Sequence, residues 1–251
     1  MTDIIRVLVP LDSHSAEALQ TAIAYANAIC EKTGAADIIL LTHTKQQLDH
    51  TSLSRLLGAG TIRALGKGTV NLDSGVRLHA ETMRTLSWPP RNSVLVVYYA
   101  ETGILDLADG TRNVVGVVAV PDVPGEADDW AKRWGVIVHG EERKGPALLI
   151  EDPVVVRALE TLTRMVNLST GIGHPRDKDF ADETLRILRA KGHPDPTPNI
   201  RSWAIRNGWK PEHAVKLEAL SRKIWELKGK PSLAKFYNAS ERYDRWRRGE
   251  D

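Results

Sequence analysis

Four stretches of continuous apolar residues punctuate the first half of the chain: IIRVLVP (Ile4–Pro10), DIILLTH (Asp37–His43), SVLVVYYA (Ser93–Ala100) and NVVGVVAVP (Asn113–Pro121). They are rich in Val and Ile and lack polar alternation. Runs of this length without alternation mark strands buried on both faces, as in parallel sheets. GVIVHG (Gly135–Gly140) is a weaker run of the same kind, and another strand is expected near GTVNL (Gly68–Leu72).

Helical periods fall between the runs. Ala16–Lys32 places Leu19, Ile23, Ala26 and Cys30 at helical spacing, with Ser13 or Ser15 as N-cap and Gly34 just past the end. SGVRLHAETMRTLSW predicts a helix with Val76, Ala80, Met83 and Leu86 on one face and Asp73 or Ser74 as cap. GEADDWAKRW puts acids in a first turn before Trp130 and Trp134, which suits the helix dipole. Strand and helix in alternation predict an open, mainly parallel twisted α/β sheet, Rossmann-like, over residues 1–150.

From Glu151 the period changes. Helices are predicted over DPVVVRALETLTRMV, capped by Asp152, and over KDFADETLRILRAKG, capped by Asp177 or Asp179. Three more follow in NIRSWAIRNG, EHAVKLEALSRKIWELKG and Ser232–Arg248. This is a smaller all-α domain over residues 151–251. Ala204 and Gly208, with Trp203, Trp209, Ala214 and Leu217 around them, have the spacing of a helix-turn-helix. On that reading the start of the second helix exposes Lys210, Glu212, His213 and Lys216.

The α/β pattern locates a site. In open α/β sheets, ligands sit beyond the carboxyl ends of the strands where strand order reverses. The first strand is expected at the reversal, so its end, Asp12-Ser13-His14-Ser15, becomes the first candidate. The third run is expected to neighbour it more readily than the fourth, which adds Tyr99, Glu101 and Thr102. A helix starting near Ser15 would aim free N–H groups at the same crevice. His43 ends a strand and faces either that crevice or the core.

RVLVPLDSHSAEALQTAIAYANAICEKTGAADIILLTH resembles the opening of universal stress proteins. The resemblance implies an α/β nucleotide-binding fold in which an aspartate at the matching position, Asp12, helps hold adenine. That family's later phosphate signature, a glycine pair followed by a glycine with Ser or Thr, has no clean counterpart here. IRSWAIRNGW (Ile200–Trp209) resembles the first helix of the DNA-binding domain of actinobacterial nucleoid-associated silencers. Where that family carries a minor-groove Arg-Gly-Arg, this chain has Trp209-Lys210-Pro211-Glu212.

Composition narrows the picture. Residues 1–150 carry 14 Lys and Arg against 17 Asp and Glu, whereas residues 151–251 carry 20 against 15. The basic half suggests an anionic partner. Lys223, Lys228, Lys230, Lys235, Arg242, Arg245, Arg247 and Arg248 crowd the last thirty residues among Trp225, Tyr237, Tyr243 and Trp246. A single cysteine, Cys30, excludes a disulfide framework. The absence of a long apolar run and of a signal-peptide pattern predicts a cytoplasmic chain that does not engage membrane.

Catalytic motifs are thin. GxSxG, HExxH and CxxC are absent. GTIRALGKGT (Gly60–Thr69) fails as a phosphate loop, because five residues separate Gly60 from Gly66 and Gly68 stands where Ser or Thr should be; a flexible loop is expected. Asp12, Ser13 and His14 read as an acid–base cluster or as cap and loop residues. His174, Asp177 and Asp179 read as a helix start rather than metal ligands. No cofactor is named by the pattern. The expectation is a two-domain binding or regulatory protein. Its α/β domain would hold a small phosphorylated or nucleotide ligand near Asp12. Its helical domain would bind nucleic acid or a protein partner, with Lys210, Lys216, Arg245, Arg247 and Arg248 touching that partner. The alternatives are an enzyme acting on a nucleotide or phosphate ester in the same crevice, and an oligomeric interaction protein without a small ligand.

Overall fold

Strands β2 (Asp37–Thr42) and β5 (Ser93–Tyr98) are buried at every residue, as their unbroken apolar runs require. A computed structural model describes residues 4–142 and 145–250 and divides into two units, Met1–Pro146 and Ala147–Asp251.

The first unit is a seven-stranded sheet in the order β3-β4-β2-β5-β6-β1-β7. Its other strands are β1 (Ile5–Leu8), β3 (Val70–Asn71), β4 (Arg77–Thr82), β6 (Val114–Val120) and β7 (Ile137–Val138). Every pairing is parallel except β3 with β4. Successive side chains of a strand point to opposite faces. Ile38 and Leu40 therefore join one core, with Ala18, Ala22 and Ala26 of α1 (Ala16–Thr33). Leu48, Leu53 and Leu65 complete that core from α2 (Lys45–His50), α3 (Ser52–Leu57) and α4 (Ala59–Leu65). Ile39 and Leu41 join the other core, with Ile104 and Leu105 of α5 (Thr102–Gly110) and Trp130 of α6 (Asp128–Trp134). Gly116 lets α1 approach β6: a β-carbon there would lie 2.7 Å from Ile29 Cγ2.

Three expectations for this unit are corrected. The stretch expected as a helix around Ala80 is the strand β4. Asp73, Ser74 and Gly75 form its hairpin turn, with Gly75 at φ +80° and Leu72 N–H donating to Val76 O at 2.9 Å. The segment expected as a flexible loop around Gly60 carries α4, whose Leu65 is buried. The fourth apolar run, not the third, neighbours the first: β6 pairs with β1 in parallel register, Val7 opposite Val118.

The second unit holds α7 (Pro153–Met165), α8 (Pro175–Ala190), α9 (Thr197–Arg206), α10 (Pro211–Trp225) and α11 (Ala239–Arg248). Val155, Leu159, Leu162, Leu185, Ile200, Leu217 and Ile224 form its apolar interior. Asp152 caps α7, its Oδ1 accepting the N–H groups of Val154 and Val155. The cap of α8 is His174 rather than Asp177 or Asp179; His174 Nδ1 accepts Arg176 N–H with Pro175 in the first turn. The last helix starts at Ala239 rather than Ser232, because Asn238 adopts a left-handed φ of +57° that ends any upstream helical path. Arg189 donates to the carbonyls of Ile224 and Leu227, which closes the end of α10.

Candidate functional site

The connection leaving β2 runs through α2–α4 on one face of the sheet, and the connection leaving β5 runs through α5 on the other. Adjacent strands whose connections part in this way open a crevice at their carboxyl ends. β1 and β6 part likewise, toward α1 and α6. The polar residues that follow these four strands come together along one edge.

Ser13 is fully buried and donates to Asp122 Oδ1 at 2.5 Å. Its carbonyl accepts the Tyr98 hydroxyl at 2.7 Å. His14 is exposed; its Nε2 lies 3.5 Å from Asp122 Oδ1 and its Nδ1 lies 2.6 Å from Ser52 Oγ. Asp12 is exposed, and its Oδ1 accepts His14 N–H at 2.9 Å. Ser15 is the N-cap of α1, its Oγ accepting Ala18 N–H. Tyr98 shows the charge of this edge: its phenol is pushed well above the usual range, first by burial, then by Tyr99 and by the carboxylates Asp12 and Asp122.

Tyr99 is buried and sits at φ +59°, a left-handed conformation uncommon for an aromatic residue. The bend sends its hydroxyl to α3, where it donates to Thr51 Oγ1 at 2.7 Å and lies 3.1 Å from Ser52 Oγ. Tyr99 O accepts from His43 Nε2 at 3.1 Å, so the other ring nitrogen of His43 faces Glu101 Oε1 at 3.7 Å. Glu101 precedes α5 without capping it, and Thr102 is the first residue of that helix, half-buried.

Beside His43 the edge opens into a cavity of about 510 Å³. Leu48, Leu65 and Ala80 give it an apolar floor; Thr44, Thr82 and Thr85 supply hydroxyls, and Lys45, Arg84 and Glu81 supply charge. Asp12 does not line this cavity.

The edge thus brings Ser13, His14, Tyr99 and Glu101, which the sequence singles out, beside Ser52 and Asp122, which it does not, and the cavity next to His43 adds Lys45 and Arg84. Asp122 follows the fourth apolar run and was legible once that run was paired with the first. Ser52, Lys45 and Arg84 carried no signal, because α2 and α3 are six residues each and β4 has a helical period. Among the described residues no cluster of His, Cys, Asp or Glu is arranged to hold a metal ion.

In the helical unit, α9 and α10 are joined through Asn207–Lys210, with Gly208 at φ +89°. Lys210 and Lys216 are exposed, whereas His213 is buried and pairs with Ser169 O at 3.1 Å. Arg245, Arg247 and Arg248 are exposed on α11. Arg242 on the same helix is held by Glu183 and Thr184 and stacks on Phe180. Trp246 is buried, Tyr243 meets His193 and Tyr237 is exposed.

Residues 151–247 match the model of a family described as a domain of unknown function, DUF1889. The chain is similar to that family over the helical unit. No curated protein and no solved structure matches the chain. Among the described residues no helix is long and apolar enough to cross a membrane.

Proposed function

We propose that the chain is a two-unit binding protein whose α/β unit holds a small phosphorylated or nucleotide ligand and whose helical unit contacts nucleic acid. The observation that supports the first part is the 510 Å³ cavity at the carboxyl edge, with Lys45 and Arg84 at its rim. Both side chains are exposed, and among the described residues neither pairs with a carboxylate. An apolar floor under a base and two free cations over phosphates is the division of labour a nucleotide requires. Asp12, the position the universal stress protein resemblance singles out, follows β1 outside the lining of this cavity, so the reading rests on Lys45 and Arg84 and not on Asp12.

Mass spectrometry of the native protein should find a co-purified phosphorylated small molecule, and calorimetry should detect ATP binding. Changing Lys45 and Arg84 together to Ala should weaken that binding about 10- to 100-fold, the scale of a charge-assisted hydrogen bond. Absence of both a retained ligand and ATP heat would remove the reading. The helical unit's part rests on the exposed Lys210, Lys216, Arg245, Arg247 and Arg248.

A further inference from the structure

We propose that Ser52, His14 and Asp122 form a nucleophile–base–acid relay that hydrolyses small neutral acyl esters. This goes beyond ligand binding in the cavity and uses none of the residues that line it.

The three side chains come from three separate segments: the loop after β1, the first turn of α3 and the loop after β6. Ser52 Oγ lies 2.6 Å from His14 Nδ1, within hydrogen-bond reach of a general base. On the far side of the ring, His14 Nε2 lies 3.5 Å from Asp122 Oδ1. Such relays are recognised by roles and geometry rather than by chain order, and their hydrogen bonds are often loose before substrate binds.

The surrounding hydrogen bonds set the direction of the protons. Thr51 Oγ1 donates to Gln47 O, so it accepts from the Tyr99 hydroxyl. Leu53 N–H donates to the same phenol oxygen. At rest the Tyr99 proton points to Thr51, and in the tautomer that carries its proton on Nε2, His14 accepts the Ser52 proton at Nδ1. Nε2–H then faces the Asp122 carboxylate, which Ser13 O–H holds in place at 2.5 Å. The Tyr99 hydroxyl lies 3.1 Å from Ser52 Oγ. Its phenol proton, turned from Thr51, can meet the oxygen that becomes negative. The left-handed backbone of Tyr99 is what delivers that hydroxyl, and strain of this kind gathers at functional sites.

Each step balances. Ser52 Oγ bonds to the acyl carbon as its proton passes to His14 Nδ1, and the carbonyl π pair moves to oxygen. Collapse breaks the ester C–O bond, and the leaving alcohol takes the proton from His14. Water then attacks the acyl-serine, giving its proton to His14. Release of the acid returns that proton to Ser52 Oγ. The ring is more than half exposed, so water has access for the second half. Asp12 and Asp122 put negative charge beside His14, which disfavours a phosphate monoester and favours an uncharged carboxylic ester.

The full-length protein should be treated with diisopropyl fluorophosphate and its peptides mapped by mass spectrometry, with p-nitrophenyl acetate turnover measured in parallel. The expected result is a stoichiometric adduct on Ser52. It should be absent in Ser52→Ala and form at least about 100-fold more slowly in His14→Gln. Asp122→Asn should slow labelling about tenfold and Asp122→Glu should restore part of it, a rescue that a purely structural role would not give. The Lys45→Ala/Arg84→Ala protein should label normally, so failure of the cavity reading leaves this one standing. Wild-type protein that gains no adduct on Ser52, or labels other serines as fast, overturns the proposal even if the variants fail to fold. Equal labelling in a folded His14→Gln protein overturns it as well.

Discussion

Asp152 uses one carboxylate oxygen to cap α7 and holds the other 2.8 Å from His193 Nδ1, 41 residues along the chain. A local helix-start signal thus doubles as a tertiary clasp within the helical unit, because His193 also reaches the Tyr243 hydroxyl of α11 at 3.2 Å. Burial works to raise the Asp152 carboxyl. The hydrogen bonds from His193, Val155 and Val154 and the charge of His193 outweigh it and hold the group below its ordinary value of 3.8. A depressed carboxyl stabilises the fold at pH values above the unfolded-state value, and that contribution is lost as pH falls through the folded value. Asp152→Ala should cost about 1–2 kcal/mol at neutral pH, the scale of a lost N-cap. Asp152→Asn keeps a capping oxygen and loses the charge, so its melting temperature should lie below wild type at pH 7 and converge with it below pH 3.8. A deficit that stays constant over that range would show that the charge contributes nothing.

Asp109 gathers three donors in the α/β unit. Arg6 Nε is at 2.8 Å, Trp130 Nε1 at 2.9 Å and Trp134 Nε1 at 2.6 Å, with the Arg6 guanidinium 3.8 Å above the Trp134 ring. The carboxylate side chain is only 5% exposed. Breaking a buried pair from one side costs about 3–5 kcal/mol, because the remaining charge and donors keep their desolvation penalty. Asp109→Ala should reduce the unfolding free energy measured in urea by that amount, and Arg6→Met should cost a similar amount, since it leaves the Asp109 carboxylate buried without its cationic partner and takes the guanidinium off the Trp134 ring. A loss below about 1 kcal/mol for either variant would show that the pair behaves like an exposed one and that its burial adds nothing.

Cys30 is buried in α1, and its thiol is pushed up to about 11 by burial first and then by Asp37 and Glu31. The thiolate is the nucleophile, so almost none is present at pH 8. Iodoacetamide should leave native protein unmodified at that pH and alkylate Cys30 promptly in denaturant. Rapid alkylation without unfolding would show that α1 opens far more readily than its packing against β6 implies.

The sequence patterns were most legible where burial left one solution. The four unbroken Val and Ile runs are β1, β2, β5 and β6, and Asp152 with Pro153 starts α7. They failed where two structures share one pattern. Val76, Ala80, Met83 and Leu86 have a helical period, yet the free edge of β2 is paired by Leu78 and its neighbours. Asp73 and Ser74 are good helix caps and equally good turn residues, and Gly75 at φ +80° decides for the turn. The candidate site was half legible for the same reason. Strand ends could be read one at a time, but strand order is a tertiary fact. Asp122 reaches Ser13 only because β6 lies beside β1.

The helical unit offers the last test. Arg245, Arg247 and Arg248 share the final turn of α11 and are exposed. Arg247 is 3.9 Å from Asp244 and Arg248 is 3.4 Å from Glu250, and exposed pairs of this kind are worth about 0–1 kcal/mol. A phosphate can displace such partners readily. Trp246 is buried beneath them, so the aromatic residues of the tail mainly build the fold rather than offering faces to bases. Binding should therefore be weak, tolerant of sequence and steeply dependent on salt, because released counterions drive it. Anisotropy titrations of duplex DNA should show association at low salt that fades at physiological salt. Replacing the three arginines by Ala should shallow the logarithmic salt slope by about 2–3 units, close to 0.9 for each phosphate that is no longer neutralised. Lys210→Ala with Lys216→Ala at the start of α10 should shallow it further if the α9–α10 pair also touches the backbone. Wild-type protein that fails to bind even at low salt would turn the search toward an acidic protein surface as the partner of α11.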